Sequence, residues 1–305
     1  MNRIRTQTAV FALSVVFIAG YLSIITWTDA AASEKRNSLQ KIRTETLRED
    51  LSVAEEENFT LETFNGRVEV VGWDKNTVRV VAEKRMEIQR KDKKLFKKRL
   101  PFTSESEADA YFAELKMDIQ QEGDGVQVHT LRPKHKRGVE LSVRYEIYLP
   151  KAMGISVDTS NGSVLVSNTD GSVSAHSSNG RIHIAKASGP VIVQTSNGKV
   201  VCEDVRSSVD IQTSNGKITV LHPASLARGD QIRCRTSNGT IRLGLDSQSQ
   251  FSMEADTTNG QIRSDFEIAG ARQPGKRTHL AGVIGTGGTT VSLRTSNGSI
   301  NIEKL

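Results

Sequence analysis

Eight Asn-Gly pairs punctuate the chain, at Asn65-Gly66, Asn161-Gly162, Asn179-Gly180, Asn197-Gly198, Asn215-Gly216, Asn238-Gly239, Asn259-Gly260 and Asn297-Gly298. From Gly162 to Gly216 the interval is 18 residues three times running, and it then lengthens to 23, 21 and 38. A fixed period of this kind marks stacked, equivalent units and constrains the fold before any single residue does. The flanks are equally regular. Two and four residues after Gly come Val164/Val166, Ile182/Ile184, Val200/Cys202, Ile218/Val220, Ile241/Leu243 and Ile300/Ile302, with Ile262/Ser264 as the weak pair. Seven and five residues before it come Ile155/Val157, Val173/Ala175, Val191/Val193, Val209/Ile211, Ile232/Cys234, Met253/Ala255 and Val291/Leu293. Thr stands three before Gly in every unit except the one with Ser177. This is period-two alternation on both sides of a fixed corner, the pattern of half-buried strands.

Two all-β folds answer that pattern. Asn-Gly is a strong hairpin turn, so an antiparallel β-meander of Asn-Gly hairpins is the alternative. A single-chain β-solenoid with coils of about 18 residues explains more, because a strict interval follows from a fixed coil length. In the solenoid Val193 stacks on Ile211 and Ile182 on Val200; in the meander Val193 faces Val200 or Cys202 across the turn. Gly is expected to take a positive φ at the corner, and Asn to bond locally or along a ladder. An apolar content of 36% with 5% aromatics suits a thin core of Val, Ile, Leu and Thr.

The chain divides by composition. Residues 1–28 read as a membrane anchor or signal segment. Ala9 through Trp27 is uncharged and follows Arg3 and Arg5, long enough for an N-terminal transmembrane helix with the body in the periplasm or extracellular space. Small residues at Ala30, Ala31 and Ala32 leave secretion after signal cleavage as the alternative. Residues 29–50 are a charged, partly helical juxtamembrane stalk, and 51–82 hold the first β units. Residues 83–138 form an insertion with a basic cluster at 90–99 and a helix from Ser104 to Gln121, striped by Ala108, Phe112, Leu115 and Ile119. Residues 139–305 are the β-repeat body. Cys202 and Cys234 fall on inward positions of non-adjacent coils, so two buried thiols are expected rather than a bridge.

The phrases Thr63 through Asp74, Val143 through Pro150, Asp158 through Gly162 and Leu293 through Gly298 resemble the bacterial "putative adhesin" family of exported β-strand-repeat proteins. The resemblance spans roughly residues 50 to 305. It implies a solenoid-like, exported body and transfers no catalytic motif.

Candidate chemistry is sparse. The histidines lack metal-ligand spacing, and the outward row four before Gly (Glu62, Asp158, His176, Gln194, Gln212, Arg235, Asp256, Arg294) proposes no acid/base pair. No cofactor or metal is expected. Gly282 to Gly288 lacks the Gly-Lys-Ser/Thr ending of a phosphate loop and reads as a turn. One residue after Gly, however, Arg181, Lys199 and Lys217 follow one another, with Arg242 and Arg263 on the alternate row. Such a strip would meet an anionic envelope polymer or lipid headgroups; without stacking aromatics it does not suit nucleic acid. The expected function is a non-enzymatic cell-envelope scaffold or adhesion-like module, held to the membrane through residues 9–27, with a protein partner left open. A β-helical polysaccharide-active enzyme is the alternative.

Overall fold

Each repeat folds as strand, Asn-Gly corner, strand, because β-branched residues at alternate positions give it one face to bury and one to solvate. Val191–Asn197 and Val200–Val205 are one such coil. The computed structural model describes residues 22–24, 42–53, 57–88, 101–122, 125–268 and 278–305. Among these, a 12-stranded and an 11-stranded sheet face each other, and each coil gives one strand to each. Val193 lies opposite Ile211 and Ile182 opposite Val200, both in parallel ladders, so the repeats stack as solenoid coils and not as hairpins. The inward rows, from Phe59 and Leu61 to Ile300 and Ile302, are buried in one continuous core. At the second corner Asn168, Lys186 and Asp204, 18 residues apart, take left-handed conformations with φ of 61°, 54° and 53°.

Stack order departs from chain order at both ends. The last coil, Thr289–Asn297 with Ile300–Lys304, lies between the coil starting at Gln231–Asn238 and the one starting at Phe251–Asn259. The 38-residue interval lets the chain pass round and return. It also accounts for Ile262/Ser264: the strand Ile262–Ser264 is short and, among the described residues, sits at the sheet's edge with Ile300–Lys304 as its one partner. At the other end Asn58–Asn65 lies between Gly154–Asn161 and Gly125–Leu131. The insertion therefore completes a coil, Gly125–Leu131 with Val139–Pro150, in the body of the stack. Antiparallel strands cover the ends: Lys116–Glu122 on Gly125–Leu131, Thr77–Ile88 on Val139–Pro150, and His279–Ile284 on Phe251–Asn259. Such covers keep an open edge from recruiting another chain.

Several expectations need correction. The N-terminal transmembrane helix is overturned. No helix among the described residues is long and apolar enough to cross a membrane. The described part of 9–27, Leu22–Ile24, is instead a strand antiparallel to residues 46–48. Its β-rich sequence satisfies its backbone at an open sheet edge. The signal-anchor, the membrane partnership through residues 9–27 and the membrane-anchored location lose their basis with it; the rest of that segment lies outside the described residues. The charged stretch expected as a partly helical stalk gives the strand Ile42–Ser52, paired along its whole length with Thr77–Ile88. The basic cluster at 90–99 is outside the described residues.

The insertion helix is Glu105–Ala113, shorter than its stripe implied. Ser104 caps it, its Oγ accepting from the Glu107 amide at 3.1 Å. Ala108, Phe112, Leu115 and Ile119 are all buried, but the last two lie beyond the helix, where Lys116–Glu122 finds a strand partner. Pairing with that neighbour overrides helical periodicity.

The corner glycines also serve another purpose than expected. Positive φ is found at Gly66 (127°) and Gly298 (158°), but Gly162, Gly180, Gly198, Gly216, Gly239 and Gly260 do not have it. A Cβ on Gly198 would instead lie 1.9 Å from the Gly180 carbonyl oxygen, and one on Gly216 1.8 Å from that of Gly198. Close stacking of backbone on backbone excludes every other side chain. Gly198→Ala should therefore lower stability by about 3 kcal/mol or more through overpacking. Ser214→Ala, at an exposed position of the same edge, should stay within about 0.5 kcal/mol of the parent. Denaturant melts of both variants check this, and equal shifts would mean that the corner tolerates a side chain.

Candidate functional site

In-register corners put identical side chains one above another. Asn179 Nδ2 donates to Asn161 Oδ1, Asn197 to Asn179 and Asn215 to Asn197, each at 2.9 Å. The ladder continues from Asn238 to Asn215 (2.7 Å), Asn297 to Asn238 (2.8 Å) and Asn259 to Asn297 (2.8 Å). It follows the stack, not the chain. Beneath it Ser177, Thr236, Thr257 and Thr295 hydroxyls donate to the Gly162, Gly216, Gly298 and Gly239 carbonyls of neighbouring coils. Asn65 ends the pattern, its Nδ2 turning to the Leu141 carbonyl at 3.1 Å.

Beside this edge run the predicted cations. The Ile182 amide donates to the Lys199 carbonyl and the Val200 amide to that of Lys217, so Arg181, Lys199 and Lys217 occupy equivalent places on successive coils. All three are exposed and without an ion pair among the described residues. Arg242 and Arg263 are not part of this file. Each lies opposite Asn301 on the alternate row; Arg242 is bound to Glu303 at 2.7 Å, and Arg263 donates to Gln261 at 3.0 Å.

Stacking also assembles a group that chain order concealed. Glu62 lies opposite Asp158 in register, with His129 on the far side of Glu62 and His176 on the far side of Asp158. His129 Nδ1 is 2.9 Å from Glu62 Oε2. These groups stand on an outward sheet face, and among the described residues no cluster of three or more such ligands is placed to hold a metal ion. Asp256 is paired with both His279 (2.7 Å) and Arg294 (3.3 Å). Burial would raise its carboxyl pKa, but these two partners outweigh burial and hold it below the usual range.

Two open cavities indent the described surface. One, of about 500 Å³, is lined by Arg228, Gln250 and the turn from Thr286 to Thr289. The other, of about 600 Å³, lies at the Asn65 end of the ladder, between Phe64, Asn161, Tyr111 and the loop from Arg132 to His135. Its signal in the sequence is the basic run from Arg132 to Arg137, between two strands and outside the Asn-Gly repeat.

The profile of the Toastrack DUF4097 family matches residues 150–303. The chain belongs to that family. Comparison with curated proteins finds no match. Among solved structures, a "putative cell adhesion protein" from Clostridium sporogenes is 10% identical with a TM-score of 0.37, covering 87% of this chain and 100% of that one. A "putative adhesin" from Bacteroides fragilis is 11% identical with a TM-score of 0.37, covering 85% and 97%. A "putative lipid binding protein" from Parabacteroides distasonis is 11% identical with a TM-score of 0.27, covering 85% and 96%. Correspondence this loose transfers no function. In this Toastrack chain the file of cations and the ladder from Asn161 to Asn297 fall inside the matched segment. Most of the larger cavity's lining falls outside it.

The two thiols belong to the core and not to a site. Cys202 and Cys234 are free and buried. Burial pushes the Cys202 thiol up to about 12 and raises that of Cys234 as well. Since the thiolate is the reactive form, neither should react with a thiol reagent at pH 8 until the chain unfolds. Labelling with and without denaturant checks this; rapid labelling of the native protein would contradict it.

Proposed function

We propose that this Toastrack chain is a non-enzymatic β-repeat module of the cell envelope, a stiff scaffold whose Asn-Gly edge contacts anionic surface polymer. The observation that carries the reading is the file of Arg181, Lys199 and Lys217, one coil rise apart and without ion pairs among the described residues. At a strand spacing of about 4.8 Å, a polymer with regularly spaced charges meets all three cations together. A lone small anion meets one cation at a time and gains little in water. Arg242, already neutralised by Glu303, adds little to the file.

The non-enzymatic part of the reading draws on where the carboxylates stand. Glu62 and Asp158 adjoin on an exposed sheet face, and neither lines the two cavities described above. General acid/base work on a glycan needs a substrate held in place between the two carboxyl groups.

Full-length protein passed over immobilised polygalacturonate and over neutral dextran tests the proposal. Retention on the acidic matrix alone, released as salt shortens the screening length to about 3–5 Å, is the expected result. The variant Arg181→Ala/Lys199→Ala/Lys217→Ala should elute near the void at low salt. Retention of that variant equal to the parent's would overturn the role of the file.

A further inference from the structure

The cavity beside Asn65 is made by the part of the insertion that the repeat does not require. The helix Glu105–Ala113 brings Tyr111 over it, and the Tyr111 hydroxyl donates to the Lys134 carbonyl at 2.9 Å. That bond holds the loop between Gly125–Leu131 and Val139–Pro150 against the ends of two coils, where Phe64 and Asn161 lie. Three kinds of group converge there. Phe64, Tyr111 and Leu141 offer aromatic and aliphatic walls. Arg132 and Lys134 are exposed cations with no ion pair among the described residues, and the Arg132 guanidinium lies 5.4 Å from the Phe64 ring centre. Asn65 and Asn161 mark the break in the ladder: Asn65 donates to Leu141, and Asn161 Oδ1 accepts from Asn179. Asn161 Nδ2 and Asn65 Oδ1 are then left without a partner among the described residues. Glu140, also in the lining, has a partner of its own.

We propose that this cavity binds an acidic sugar unit, a carboxylate carried on a hydroxylated ring. About 600 Å³ is the size of a small-molecule site and far exceeds what a single oxyanion fills. The walls suit the C–H faces of a sugar ring, the two asparagines suit its hydroxyls, and the cations suit its carboxylate, with Arg132 able to engage both oxygens. Asn161 is shared between cavity and ladder, so a polymer lying along the Arg181–Lys199–Lys217 file would present a terminal unit here. The biological source of the ligand rests on the polymer reading above; the site rests on its own lining.

Trigalacturonate, long enough to reach either place, separates the two through the variants that follow. Calorimetric titration of the full-length protein should give saturable binding to trigalacturonate, and none to cellotriose or inorganic phosphate at the same concentration. Arg132→Ala/Lys134→Ala should weaken it about tenfold, a loss of about 1.4 kcal/mol, while the triple-alanine variant of the file changes it less than about twofold. Both cations are exposed, and a matching thermal melt verifies that the variant folds. Equal binding of phosphate, or unchanged affinity in the Arg132→Ala/Lys134→Ala variant, would overturn the sugar site. Polygalacturonate retained without trigalacturonate binding would refute the cavity and leave the file standing. Trigalacturonate binding without polymer retention would do the reverse.

Discussion

Backbone meets backbone at the Asn-Gly corners, and the rest of the structure follows from that contact. The carbonyl of one corner glycine occupies the space where the next coil's glycine would carry a side chain, at 1.8–2.3 Å from the ideal Cβ position between Gly162 and Gly239. Coils can close to strand spacing there only if every coil brings glycine to the same place, which fixes both parallel pairing and register. Once register is fixed, asparagine falls on asparagine and the side-chain amides join in series, each donating to one neighbour and accepting from the other. Amides exposed to water gain little singly, about 0.5–1.5 kcal/mol each, but together they penalise any slip of one coil against the next.

The same contact explains how far the fold could be read from residues alone. Periodic Asn-Gly with flanking Val and Ile specified coil, corner and inward rows, because each depends on positions a few residues apart. Stack order depends on which coil meets which, and the interval between units says little about that. The weak pair Ile262/Ser264 proves to belong to an edge strand, which needs less to pack, but the interval alone carries no such information. The helix from Ser104 was legible in its cap and lost in its last turns, where Leu115 and Ile119 stay buried in either conformation. Leu22–Ile24 illustrates the converse: an apolar run suited to a helix pairs as a strand when an open edge is at hand.

The candidate site was legible to the same degree. Arg181, Lys199 and Lys217 came from the 18-residue period and needed nothing else. Arg242 and Arg263 share their chemistry but not their row, and the Arg242–Glu303 pair arises only because the last coil enters the stack beside Ile241–Leu245. Glu62 and Asp158, far apart in the chain, adjoin for the same kind of reason. The cavity at Asn65 required the helix, a loop and two coil ends at once. The insertion thus builds a cavity as well as a cap, and the cavity sits at the Asn65 end of the edge along which the free cations run.

The stack order of the C-terminal coils is the claim that most directly tests this account, and engineered disulfides measure it. In register, Asn297 lies beside both Asn238 and Asn259, which are themselves two coil rises apart. Strand spacing puts neighbouring Cα atoms about 4.8 Å apart and the outer pair about 9.6 Å apart, within and beyond disulfide reach respectively. Under mild oxidation, Asn238→Cys/Asn297→Cys should form an intramolecular bond in the native protein, and Asn238→Cys/Asn259→Cys should not. Cross-linking of the 238/259 pair with none at 238/297 would mean that the coils stack in chain order, and the account would be wrong.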